Sequence, residues 1–164
     1  MDLQQRAARI KLVIFDVDGT LTDGSLHYGA GGEEQKVFHV QDGYGMKQLQ
    51  RAGLTLAIIS GRQSAAVTRR MQDLGIEHVF QGDEHKLPIF ERLLQRLGLE
   101  AAQAAHMGDD LPDLPLLQRA GLAVAPANAL PAIKQVVHHV TVAHGGRGAV
   151  REFCDLILAA QGRP

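Results

Sequence analysis

Cysteine is nearly absent: the 164-residue chain has one, Cys154, so no intrachain disulfide can form and no metal site can be built from thiolates alone. That thiol falls in an apolar helical pattern with Val150, Phe153 and Ile157 and is expected in the core. Long apolar runs are missing too. No segment approaches the ~18 uninterrupted apolar residues of a membrane span. The stretch from Met1 to Lys11 is polar, with Asp2, Arg6 and Arg9 where a secretory signal needs an apolar run. Neither export nor membrane spanning is expected, and the chain reads as cytoplasmic. A surplus of charge is also lacking. With 17 Lys and Arg against 18 Asp and Glu, the net charge is −1, which offers no general attraction for nucleic acid or acidic lipid. Repeats, linkers and low-complexity tracts are not found, and the length suits one domain, residues 1–164, with a real core.

What is present is the composition of a globular enzyme, 45% apolar and 21% charged. Short apolar runs predict strands at Lys11 to Phe15, Leu54 to Ile59, His78 to Phe80, Ala104 to Met107, Leu122 to Ala125 and Val140 to Val142. Helix-period segments lie between them, carried by Val67, Met71 and Leu74, by Leu87, Phe90, Leu93, Leu94 and Leu97, and by Val150, Phe153, Cys154 and Ile157. Alternating strands and helices, with strands apolar on both faces, predict an α/β fold: a Rossmann-like parallel sheet flanked by helices. Ligands of such sheets sit beyond the carboxyl ends of the strands. One interval differs. Ser25 to Tyr28, the glycine cluster Gly29 to Gly32, and Glu33 to Val40 predict a β-hairpin flap.

Three polar clusters follow three of the strands. Asp16-Val17-Asp18-Gly19-Thr20 ends the first, and carboxylates at i and i+2 of an extended chain project to one side. Two like charges so close call for a divalent cation or a shared proton. A D-x-D-G alone is also an ordinary Asp/Gly turn. Ser60-Gly61-Arg62 follows the second strand, and Gly108-Asp109-Asp110 follows Ala104 to Met107. A parallel sheet brings these ends to one edge. Lys86 opens a helix, where a cation opposes the helix dipole unless an anion such as phosphate binds beside it.

In this order, the four clusters resemble the haloacid dehalogenase superfamily over Asp16 to Asp113. The resemblance implies Asp16 as nucleophile, Asp18 as general acid and base, and Ser60 and Lys86 on the phosphoryl group. It also implies magnesium held by Asp16, Asp109 and the Asp18 carbonyl. Asp110 and Asp113 read either as groups orienting those ligands or as helix caps. The chain has no room for the cap domain that many relatives insert, because a hairpin and one helix separate Asp18 from Ser60, and one helix and one strand separate Ser60 from Lys86. The cleft is therefore expected to be open in a monomer.

Asp23-Gly24, His39-Val40-Gln41-Asp42-Gly43-Tyr44-Gly45 and the tail Gly145 to Glu152 look like the 3-deoxy-D-manno-octulosonate 8-phosphate phosphatase family. That resemblance spans nearly the whole chain. It implies a magnesium-dependent homotetramer acting on a phosphorylated sugar acid in lipopolysaccharide precursor synthesis. Its substrate-contacting positions match Asp18, His39, Val40, Gln41, Asp42, Gly43, Lys47, Arg62, Arg70 and Lys86. A substrate with a carboxylate at one end and a phosphate at the other needs cations for both. Two positions depart from the pattern: Lys47 stands where many relatives have Arg, and His39 where they often have Asn. Lysine cannot make the bidentate fork that arginine makes to a carboxylate. The tail around Arg147 is expected to reach a neighbouring subunit's site, its glycines giving the reach. Alternative readings are a phosphatase of a nine-carbon keto-sugar acid phosphate, a phosphoacceptor signalling domain and a non-catalytic scaffold. Asp18 argues against the signalling domain, which must keep its phosphate.

Overall fold

The computed structural model describes residues 1–163. Six strands form one parallel sheet: β1 (Leu12–Phe15), β4 (Thr55–Ser60), β5 (His78–Gln81), β6 (Ala104–Met107), β7 (Leu122–Ala125) and β8 (His139–Val140), in the order β5-β4-β1-β6-β7-β8. The helices are α1 (Leu3–Ala7), α2 (Val40–Arg51), α3 (Ala65–Leu74), α4 (Lys86–Leu97), α5 (Leu114–Arg119), α6 (Pro131–Lys134) and α7 (Ala149–Ala160). The hairpin pairs β2 (His27–Tyr28) with β3 (Glu34–Gln35) as a separate antiparallel sheet. No further domain is inserted between β1 and β4, so the expected architecture holds and the cleft has no cap. No helix of the described residues is long and apolar enough to cross a membrane.

Alternation along β1 explains why its whole run is apolar. Val13 and Phe15 face the side covered by α2, α3 and α7, where Phe15 meets Phe153 edge-on at 6.0 Å. Leu12 and Ile14 face the opposite side, against Phe90, Leu93 and Leu116 of α4 and α5. Both faces are buried, so neither can be polar. Each such Leu or Phe contributes ~1.5–3 kcal/mol. Cys154 is in this core, as expected. α3 and α4 stop at Gly75 and Gly98, which take left-handed φ values of 70° and 64°, the conformation that ends a helix at lowest cost in glycine.

Two of the boundaries that differ from the periodicity have a visible cause. The hairpin's second arm ends at Gln35, and Val40, expected at the end of that arm, begins α2. The helix is favoured there because Met46 and Leu49 reach the core on its inner face while Asp42 complements its first turn. The last strand stops at Val140 rather than Val142. The N–H groups of Val142 and Ala143 donate to the Glu152 carboxylate of α7, which replaces a continued strand.

Candidate active site

The order β4-β1-β6 sets Ser60, Asp16 and Asp109 side by side at the carboxyl edge, and α4 brings in Lys86 from beyond β5. The cleft is lined by Asp16, Asp18, Ser60, Arg62, Lys86 and Asp109, among others. Gly19, φ 86°, makes the turn after Asp18. Any side chain there would drive its Cβ to within 2.0 Å of the Asp109 carboxylate. The glycine is thus what lets the first-strand loop and the Asp109 loop meet.

At the floor, Lys86 is only 3% exposed. Its Nζ donates to Asp16 Oδ1 at 2.6 Å and to Asp113 Oδ1 at 2.7 Å. Burial alone would depress Lys86, but the charges of Asp16 and Asp113 outweigh it and hold the ammonium above its ordinary range. The Asp113 side chain makes no cap bond to α5, the helix it was read as capping. Its Oδ2 accepts the N–H groups of Asp109 and Asp110, part of a capping box around the turn at Leu111–Asp113, while Oδ1 holds Lys86. Asp110 caps that turn through Leu111 N at 2.7 Å. His106, read only as a strand residue, is fully buried behind the site with its Nε2 2.9 Å from Asp113 Oδ1. Burial raises Asp113, yet the bond to His106 and the charge of Lys86 hold it well below the carboxylate range.

The remaining acids are poised for a cation. Burial, then the Asp113 charge, pushes Asp16 up to about 8. The same two causes push Asp109 up to about 7. Ligand atoms of Asp16, Asp109 and Asp113 lie within 4.8 Å of one another. Asp113 already accepts from four donors, so Asp16 and Asp109 are the free partners. Asp109 Oδ1 is buried with no hydrogen-bond partner among the described residues, a cost of ~1–3 kcal/mol that a metal ion removes. An all-oxygen set of this kind fits magnesium.

At the rim, Asp18 is 22% exposed in its side chain. Lys36, absent from the residues singled out above, donates from Nζ to Asp18 Oδ1 at 2.5 Å and to Glu34 Oε1 at 2.5 Å. Arg62 Nη2 donates to Glu34 Oε2 at 2.9 Å, and its Nε lies 3.9 Å from Asp18 Oδ2. No periodicity marks Lys36; an isolated lysine in a hairpin arm has no sequence signature.

The other substrate positions are not at this cleft within one chain. Val40, Gln41 and Lys47 are exposed on α2. His39, Asp42, Gly43 and Arg70 line, with Phe38, a separate small pocket. Asp42 is 1% exposed and its Oδ1 accepts the N–H of Arg151 at 2.8 Å, capping the first turn of α7; its Oδ2 is buried with no hydrogen-bond partner among the described residues. Two glycines of the tail pack within their own chain. A Cβ at Gly145 would lie 1.9 Å from Gly19 O, and Gly146 N donates to Thr20 O at 3.1 Å. These glycines allow close packing on the loop after Asp18 rather than reach. Arg147 is exposed, 3.7 Å from Asp23 of its own chain.

A parallel sheet with paired aspartates after its first strand, a serine at the end of its neighbour and a lysine closing on the first aspartate has the arrangement of a haloacid dehalogenase-type hydrolase. The family model for haloacid dehalogenase-like hydrolases matches residues 78–153. The 3-deoxy-D-manno-octulosonate 8-phosphate phosphatase KdsC of Yersinia pestis is 48% identical over 160 residues, 98% of this chain and 86% of the relative. The chain belongs to this phosphatase family. A probable phosphatase of Pseudomonas syringae is 54% identical with TM-score 0.96, covering 98% of this chain and 92% of that one. The octulosonate 8-phosphate phosphatase of Moraxella catarrhalis, solved with a magnesium ion, a phosphate ion and a KDO molecule, is 46% identical with TM-score 0.96, over 98% and 92% of the two chains.

Proposed function

We propose that the chain, acting as one domain in the cytoplasm, hydrolyses 3-deoxy-D-manno-octulosonate 8-phosphate to the free sugar acid and phosphate, in lipopolysaccharide precursor synthesis. The observation that carries this reading is the contact of Lys86 with Asp16 in a cleft whose rim holds Asp18. Lys86 donates to one oxygen of Asp16, an oxygen that a metal ion can share, and the second oxygen is assigned the attack on phosphorus. Attack forms the bond from Asp16 to phosphorus and breaks the bond from phosphorus to the sugar oxygen, and Asp18 gives its proton to the leaving alkoxide. Water then attacks the same phosphorus, Asp18 takes its proton, and the bond to Asp16 breaks to release phosphate. Ser60 and Lys86 hold the phosphoryl oxygens throughout. Magnesium held by Asp16, Asp109 and the Asp18 carbonyl supplies, when bound, neutralisation of the charge gathered there.

The separation of Arg62 from the pocket of His39, Asp42, Gly43 and Arg70 supports assembly, with a homotetramer placing one chain's pocket beside another's cleft. Exposed Leu26, Tyr28 and Val37 on the hairpin, at 47%, 62% and 67%, offer apolar surface for such contacts. Phosphate release should be measured from the eight-carbon substrate, a nine-carbon keto-sugar acid phosphate and p-nitrophenyl phosphate, with and without magnesium. The highest kcat/KM is expected on the eight-carbon substrate with magnesium. A preference for the nine-carbon compound would overturn the substrate, and undiminished release after exhaustive chelation would overturn the metal.

A further inference from the structure

We propose that Lys36 is a positioning residue for Asp18, so that the seating of the hairpin sets the alignment of the group that protonates the leaving oxygen. The inference rests on the reading of Asp18 as proton donor. The turn at Gly19 fixes the backbone of Asp18, but its side-chain torsions remain free to choose among staggered wells. Among the described residues, Lys36 Nζ is the only hydrogen-bond donor to that carboxylate, with Arg62 standing off at 3.9 Å.

Lysine loses ~2 kcal/mol of side-chain freedom when ordered, and a lysine that serves solubility keeps its ammonium in water. Lys36 does the reverse. Its side chain is 2% exposed and its ammonium is clamped between Asp18 and Glu34, both at 2.5 Å. It lies one residue beyond β3, in a hairpin of two residue pairs, His27 with Gln35 and Tyr28 with Glu34. So short a hairpin is marginal alone. Its second tie to the body is Glu34 with Arg62 at the end of β4, so both ties converge on the mouth of the cleft. Proton transfer requires the donor within ~2.6–3.2 Å of the leaving oxygen, and a displacement of ~1 Å can cost ~100-fold in rate. Release of Lys36 frees Asp18 to leave that geometry.

The test is a double-mutant cycle with Lys36→Met and Asp18→Asn in the magnesium-loaded enzyme. It uses two esters: a simple alkyl phosphate, whose alkoxide needs a proton to leave, and p-nitrophenyl phosphate, whose phenolate does not. Lys36→Met is expected to lower kcat on the alkyl ester by ~10- to 100-fold, with a smaller change in KM and a much smaller loss on p-nitrophenyl phosphate. Added to Asp18→Asn it should cost little more, because neighbours acting through one group are not additive. Lys36→Arg should recover much of the loss. Lys36→Gln, nearly as long and polar, serves as the second variant, and thermal unfolding confirms that each variant is folded. Equal losses on both esters, additive losses in the cycle, or no loss would overturn the inference. An Asp18→Asn enzyme as fast as the parent on the alkyl ester would sink the role of Asp18 itself. A slow Asp18→Asn beside an unimpaired Lys36→Met would sink only the role of Lys36.

Discussion

Lys86 and Lys36 each bridge two carboxylates, the first between Asp16 and Asp113 and the second between Asp18 and Glu34. Their settings are opposite. Lys86 opens a helix packed on the sheet, and its partners project from loops held by β1 and β6, so the floor of the cleft moves only if the core moves. Lys36 hangs on a hairpin outside the main sheet, with partners 22% and 17% exposed. Buried ionic networks are costly to break because any member left alone is desolvated without a partner, and the loss is smaller where the carboxylate partners keep contact with water. The floor is thus built to hold a charge pattern, and the rim to be adjusted by whatever seats the hairpin.

The largest expected effect is at the floor. Asp16→Asn should reduce turnover by ~10⁴-fold or more while the protein stays folded, since the amide is nearly isosteric but cannot attack phosphorus. Sustained multiple turnover in a clean preparation would refute the nucleophile. Next is the contrast in stability. Asp113→Ala leaves Lys86 with Asp16 alone, takes the carboxylate from His106 and strands two backbone N–H groups, and should cost ~3–5 kcal/mol, whereas Glu34→Ala at the rim should cost under ~1 kcal/mol. Urea unfolding of the two variants measures the difference; equal losses would erase the distinction between floor and rim.

A third expectation concerns pH and metal. Asp16 is raised from 3.8 to about 8 and Asp109 to about 7, both chiefly by burial. An acid raised by folding keeps its proton in the native chain after the unfolded chain has lost it. Without metal, these groups therefore lower stability progressively as pH rises from ~4 to ~8. A divalent cation competes with the same protons, so magnesium should raise the melting temperature more at about pH 8 than at about pH 5. An equal or larger gain on the acid side would contradict the assignment of Asp16 and Asp109. The smallest effect is expected at Arg147, whose contact with Asp23 is exposed and 3.7 Å long. Arg147→Ala should change stability by less than ~1 kcal/mol. Its activity loss should fall on the sugar acid phosphate rather than on p-nitrophenyl phosphate, and an equal loss on both would remove the tail from the substrate's surroundings.

Apolar runs and helix periods were enough to reveal the sheet and the helices α3, α4 and α7, because strand and helix burial repeat over two and 3.6 residues within a short window, and the glycine cluster marked the hairpin; the short α1 and α6 carry no such period. The acidic pair at Asp16 and Asp18 and the clusters at Ser60 and Asp109 were legible for a related reason: strand ends in a parallel sheet share one edge whatever their distance along the chain. Partner choice was not legible. Asp42 caps α7 through Arg151, 109 residues away, His106 sits against Ile14, 92 residues away, and Lys36 turns inward to Asp18 although nothing beside it in the chain requires that. The tail glycines likewise read as reach until Gly145 was found against Gly19. Such features depend on which side chains from distant elements arrive within hydrogen-bond range and which backbones touch, and those distances exist only once the chain has packed.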